Sequence, residues 1–265
     1  MIRGRTKQVV AAAGASILVA MASLAIVPLA ASATGTGTTT AVTSAPATPK
    51  TGSPATLTAT VTPVTTNAGT PTGTVTFAIV GSDASVLNCK NSDTVGISHA
   101  GVATCPIPKH ELLAAASPYT VTAVYSGDTN FTGSTGTLSL TVATANTKTK
   151  VKFIRPKPTS GNGETFVAKV TAGKNGSLLS GHVVFSVAAT GGSAAKRKCT
   201  GGDSQPLAVS GNAGTATCVL AAGWFVVPGK TKGNPHPHGS WNVEAAYTGN
   251  ANLSSSIGAK SGHAK

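Results

Sequence analysis

Acidic side chains are the scarcest chemistry in this chain. Seven Asp and Glu stand against 20 Lys and Arg in 265 residues. No two of those acids sit at short spacing inside a recurring block, so the paired carboxylates of general acid-base catalysis are missing. Aromatics are only 4% of the chain. No basic stretch is interleaved with exposed aromatics, and no helix-based reading motif is present, which argues against specific nucleic-acid recognition. Good helix formers such as Glu, Leu, Met and Gln are few, whereas Thr and Val, stiff at χ1 and suited to strands, are abundant. There is no Gly-x-Ser-x-Gly elbow, no His-Glu-x-x-His and no phosphate loop. These absences exclude the common hydrolase, metalloprotease and nucleotide-binding classes. They lead to the expectation of an all-β, non-enzymatic protein that needs no cofactor.

Only one long apolar run exists, from Val9 to Ala30. It follows Arg3, Arg5 and Lys7 and precedes "ASA" at Ala31–Ala33, the order of a secretory signal peptide cut after residue 33. An uncleaved anchor is the alternative, since a bilayer span needs roughly 20 residues. In either case the bulk of the chain is expected outside the cytoplasm, with no membrane span once the leader is removed.

The remainder repeats itself. "TLTATVT" (Thr56–Thr62) returns as "TFVAKVT" (Thr165–Thr171), and "TGTVTF" (Thr72–Phe77) as "SGHVVF" (Ser180–Phe185). "GVATC" (Gly101–Cys105) returns as "GTATC" (Gly214–Cys218), and "YTVTAVYSGDTNF" (Tyr119–Phe131) as "WNVEAAYTGNANL" (Trp241–Leu253). The order is kept while the intervening pieces lengthen, as strands and loops do. Within the blocks apolar residues fall at every second position, which predicts strands with one buried and one wet face. Leu57, Ala59 and Val61, then Val75, Phe77 and Ile79, then Tyr119, Val121, Ala123 and Tyr125 form the expected inner faces of the first copy. Phe166, Ala168 and Val170, then Val183, Phe185 and Val187, then Trp241, Val243, Ala245 and Tyr247 do the same in the second. Units of about 100 residues with six or seven short strands describe immunoglobulin-like β-sandwiches. The expected organisation is therefore two tandem sandwiches, 38–143 and 147–265, after the signal peptide at 1–33. The second has longer loops and a weak last strand, because "IGAKSGHAK" is a poor strand beside "TLSLTVA".

"TPTGTVTF" followed by "TVTAVYSGDTNF" resembles the bacterial immunoglobulin-like repeat that occurs, often in tandem, in secreted and surface proteins. The likeness covers about Thr38 to Val142 and is fainter over Thr147 to Lys265. It implies an extracellular, non-catalytic module that acts as spacer, adhesive or binding element. No particular ligand follows from it, since fold and function are loosely tied.

Each copy holds two of the four cysteines, and no Cys-x-x-Cys is present. The repeat favours Cys89 with Cys105 and Cys199 with Cys218, as structural disulfides of an exported chain.

Charge separates the copies. Residues 34–146 carry a net −1 and residues 147–265 a net +11. The excess lies in "TKTKVKFIRPK" (Lys148, Lys150, Lys152, Arg155, Lys157), "AKRK" (Lys196, Arg197, Lys198) and "GKTKG" (Lys230, Lys232). Lysines on an edge strand guard against sheet-to-sheet aggregation. That accounts for the first cluster but not the others, so attraction to an anionic envelope polymer is the competing expectation. Another surface protein is an alternative partner, and a passive spacer without ligand is the alternative role. His236 and His238 in "GNPHPHGSW" are weak metal candidates, being two ligands in a Pro-rich loop, and would at most make a metal-binding accessory protein.

Overall fold

The computed structural model describes residues 35–154, 164–190, 196–221 and 240–263. The first sandwich is built from β1 (Thr38–Ala45), β2 (Ala55–Pro63), β3 (Thr74–Gly81), β4 (Val86–Leu87), β5 (Thr94–Gly96), β6 (Val102–Ile107), β7 (Tyr119–Tyr125) and β8 (Ser134–Leu140). One sheet has the order β1-β2-β6, and the other β4-β3-β7-β8 with β5 also on β3. The second sandwich follows with β9 (Lys148–Phe153), β10 (Glu164–Thr171), β11 (His182–Thr190), β12 (Lys196–Arg197), β13 (Ser204–Pro206), β14 (Ala208–Ser210), β15 (Ala213–Leu220), β16 (Ser240–Tyr247) and β17 (Ser256–His263). Its sheets are β14-β15-β10-β9 and β12-β11-β16-β17, with β13 on β11.

The period-two pattern decides the packing. Every inner-face residue named above is buried, and the two sets fall into separate cores, one spanning residues 42–142 and the other 145–253. Burying a Val, Leu, Ile or Phe side chain contributes roughly 1.5–3 kcal/mol. Interleaved Thr and Ser pay little to stay in water, so the alternation alone selects which face turns inward.

Both disulfides form with the pairing the repeat favours, Cys89–Cys105 and Cys199–Cys218, closing sequence separations of 16 and 19. Each ties the middle of β6 or β15 to the segment between β4 and β5, or between β12 and β13, and so crosses from one sheet to the other. An aspartate four residues on supports each bridge: Cys89 N–H donates to Asp93 Oδ1 at 2.7 Å and Cys199 N–H to Asp203 Oδ1 at 3.0 Å.

The last strand corrects an expectation. β17 pairs with β16 from Ser256–Tyr247 to His263–Ser240, along its full length. It forms because its two glycines fit the neighbours that a side chain would strike. A Cβ on Gly258 would stand 2.5 Å from the Thr149 carbonyl oxygen, and one on Gly262 would run into the Trp241 indole. A hydroxyl ladder fastens the strand to β9. Thr147 Oγ1 donates to the Ser254 carbonyl and to Ser256 Oγ, and Thr149 Oγ1 shares a 2.8 Å bond with Ser256 Oγ. The first copy does the same with Thr38, Thr40, Thr132 and Ser134. The apparent poverty of "IGAKSGHAK" is thus that of an edge strand held by polar bonds and close backbone approach rather than by bulky side chains.

The recurring corner is equally specific. Tyr125 donates its hydroxyl to the Thr72 carbonyl at 2.6 Å, and Tyr247 donates to the Ser180 carbonyl at 2.9 Å. Gly127 and Gly249 both take positive φ, 75° and 78°, where a side chain is strained. Asp128 accepts from Asn130 N and Phe131 N, and Asn250 from Asn252 N and Leu253 N. The connection near 143–146 is itself bonded: Thr51 N–H donates to the Ala143 carbonyl, and Ala145 N–H to the Asn252 carbonyl.

Candidate functional site

Strand β9 is an edge strand that alternates exposed Lys148, Lys150 and Lys152 with buried Thr149 and Val151. Its neighbour β10 is an interior strand, flanked by β9 and β15. The register sets Lys150 directly opposite Lys169, which is also exposed. Four ammonium groups therefore share one solvent face. Among them, Lys150 and Lys169 have Cβ atoms roughly 5 Å apart, where like charges destabilise a sheet.

Lys169 was not singled out from the sequence. It stood alone in "TFVAKVT", outside any run of basic residues. The signal was its place in the alternation, where it takes the wet face, together with the block match that puts Thr60 there in the first copy. In that copy the same register pairs Ala41 with Thr60, and Thr39 and Thr43 occupy the places of Lys148 and Lys152. The fold accommodates neutral residues at all four positions.

The other basic residues go elsewhere. Lys196, Arg197 and Lys198 lie on or beside β12, at the far edge of the opposite sheet. Lys196 and Lys198 are exposed. Arg197 pairs with inward-facing Val187, the place that Leu87 fills in the first copy, and its Nε is buried without a hydrogen-bond partner. Of the three basic clusters in the sequence, the described parts of the first two thus lie on opposite sheets of the second sandwich. Arg155, Lys157, Lys230, Lys232, His236 and His238 lie outside the described residues, as does the leader.

A groove of about 380 Å³ on the outer face of β11, β16 and β17 is lined in part by Ser186, Asn242, Glu244, Lys260 and Ser261. Glu244 is the one carboxylate among its lining residues, so this groove offers neither an acid-base pair nor a carboxylate cluster for a cation. Among the described residues no group of three or more His, Cys, Asp or Glu is placed to hold a metal. None of the described helices is long and apolar enough to cross a membrane.

Asp128 is committed to the corner. Burial pushes its carboxyl pKa upward, but bonds from the Thr72 hydroxyl and the backbone N–H groups of Thr72, Asn130 and Phe131 outweigh this and hold it at about 2. In the second copy Asn250 instead donates its amide to the Leu178 carbonyl and Ser180 Oγ. The acid has been exchanged for an amide where the facing groups changed from donors to acceptors. That is the behaviour of a structural turn rather than of a cation site.

Residues 42–143 match the family model described as bacterial Ig-like domain (group 3). No curated protein sequence matches the chain. Among solved structures, Salmonella alpha-2-macroglobulin reacted with methylamine is similar at 13% identity over 85% of this chain and 16% of that one, with a TM-score of 0.34. The Yersinia pseudotuberculosis adhesin InvE is similar at 12% identity over 85% and 58%, TM-score 0.42. Murine CEACAM1b is similar at 11% identity over 85% and 98%, TM-score 0.28. The chain spans less than two thirds of each of the first two. Likeness at this level says nothing about activity. The family match coincides with the first sandwich, whose corner and disulfide the second repeats, and residues 42–143 are a bacterial Ig-like domain.

Proposed function

We propose that this protein is a non-catalytic extracellular interaction module whose second sandwich holds an anionic envelope polymer on the exposed face of β9 and β10. One observation carries the reading: Lys150 and Lys169 face each other across neighbouring strands, where the first sandwich has Ala41 and Thr60. Edge protection explains lysines on β9 but not one on the interior strand β10. A repelling pair that the fold does not require is a cost to folding, and a bound anion offsets it. The extracellular setting is supported by the leader pattern and by the two disulfides, which persist in oxidising compartments.

Co-sedimentation of residues 34–265 with envelopes from the source organism tests this. Substituting Lys148, Lys150, Lys152 and Lys169 together by Gln is expected to abolish binding, and about 0.5 M salt to release the unaltered protein, because exposed charges are screened there. Unchanged binding of the fourfold variant would overturn the assignment of the face. Absence of binding by the unaltered protein at low salt would leave the passive spacer, whose lysines serve solubility and edge protection alone.

A further inference from the structure

Resting on that reading, we infer that the polymer is a phosphodiester chain of a short polyol, laid along β9 with one phosphate per outward lysine. The first ground is spacing. Lys148, Lys150 and Lys152 repeat at every second residue of a strand, about 6.6 Å apart, in a straight row. Two residues of extended backbone contain about six single-chain bonds of ordinary length. A phosphodiester with a three-carbon polyol spacer also repeats its charge after about six such bonds when extended, so successive phosphates keep step with successive lysines. A carboxylated polysaccharide carries its charge once per rigid ring or ring pair and falls out of step.

The second ground is the donor type. All four cations here are Lys, compact point charges on flexible stems, and among the described residues this face presents no Arg fork for bidentate carboxylate recognition. Lys169 adds a second ammonium beside the middle of the row, so the phosphate at Lys150 is held from two strands and sets the register of the chain.

The third ground is the surround. The neighbouring outward residues of β10 and β15 include Thr165, Val167, Thr171, Thr215, Thr217 and Val219. The hydroxyls of the four threonines suit a polyol, and none of these residues offers the aromatic face on which nucleic-acid bases stack.

Titration of residues 34–265 with poly(glycerol phosphate), hyaluronate and oligo-dT of matched charge number decides the matter. The polyol phosphate is expected to bind about tenfold or more tighter than either competitor, with log K falling against log salt at a slope of about −2 to −3 for three to four neutralised phosphates. Lys150→Gln and Lys169→Gln should each lower that affinity about tenfold and Lys148→Gln or Lys152→Gln about threefold, because the middle phosphate has two partners. Thermal melting of each variant reports whether the fold is intact. Equal or tighter binding of hyaluronate or oligo-dT overturns the polyol phosphodiester while leaving an anion-binding face. Failure to bind any of the three, with envelope binding by the same face retained, overturns this inference alone. Failure with both purified polymers and envelopes overturns the two readings together.

Discussion

Trp241 lies directly across from Gly262, and no side chain fits between them. The two are cross-strand partners in β16 and β17, and a Cβ on Gly262 would strike the indole ring. In the first copy Tyr119 and Leu140 occupy these places. The second core has exchanged a medium pair for a large and a small one, and the indole packs against Phe153 at 4.2 Å between ring centres and against Phe166 at 6.0 Å.

Gly262→Ala is accordingly expected to destabilise the second sandwich by about 1–3 kcal/mol, as overpacking does. Denaturant unfolding followed by near-ultraviolet circular dichroism checks this, with the first sandwich as internal reference. A loss below about 0.5 kcal/mol, the range of an ordinary surface change, would show that the indole simply swings aside.

Acid should weaken the first sandwich through Asp128. Its folded pKa of about 2 lies below the ordinary aspartate value of 3.8. The unfolded chain therefore binds the proton first, and stability present above about pH 4 is lost as pH falls towards 2. Asp128→Asn should remove that part of the pH dependence and also lower neutral-pH stability by about 1–3 kcal/mol, because the new amide donors face the Thr72 N–H and hydroxyl. Denaturant midpoints measured from pH 7 to 2 report both effects.

Three tyrosines are present, and burial raises all three, Tyr125 to about 12. The folded state keeps these protons after the unfolded chain has lost them, so stability falls as pH rises from about 10 towards 12. Spectrophotometric titration of the folded protein should show little tyrosinate at pH 10, with the signal arriving together with unfolding. One third of the full signal appearing at pH 10 with the fold intact would contradict the buried corner.

Opening either disulfide should cost its sandwich about 3 kcal/mol in the chain-entropy model, since the loops of 16 and 19 residues are of similar size. Paired Cys→Ser variants, Cys89 with Cys105 and Cys199 with Cys218, should each lower one thermal transition and leave the other in place. Joint loss of both transitions would show that the sandwiches unfold as one.

The strands, their inner faces, the repeated corner and the disulfide pairing were all legible in the order of the residues. Each of these is a local matter: a period of two fixes which side chains turn inward, and Gly, Asp and Asn dictate the turn. Register was beyond it. Which outward residues become neighbours depends on the alignment of strands far apart in the chain, so Lys169 joined Lys150 only when β10 met β9, and the "AKRK" lysines stand apart because β12 belongs to the opposite sheet. The closure of the final strand was beyond it for a similar reason. Gly258, Gly262 and the hydroxyls of Thr147, Thr149 and Ser256 look weak one at a time, and become a fastening only when the tertiary structure brings a carbonyl, an indole and a partner hydroxyl against them.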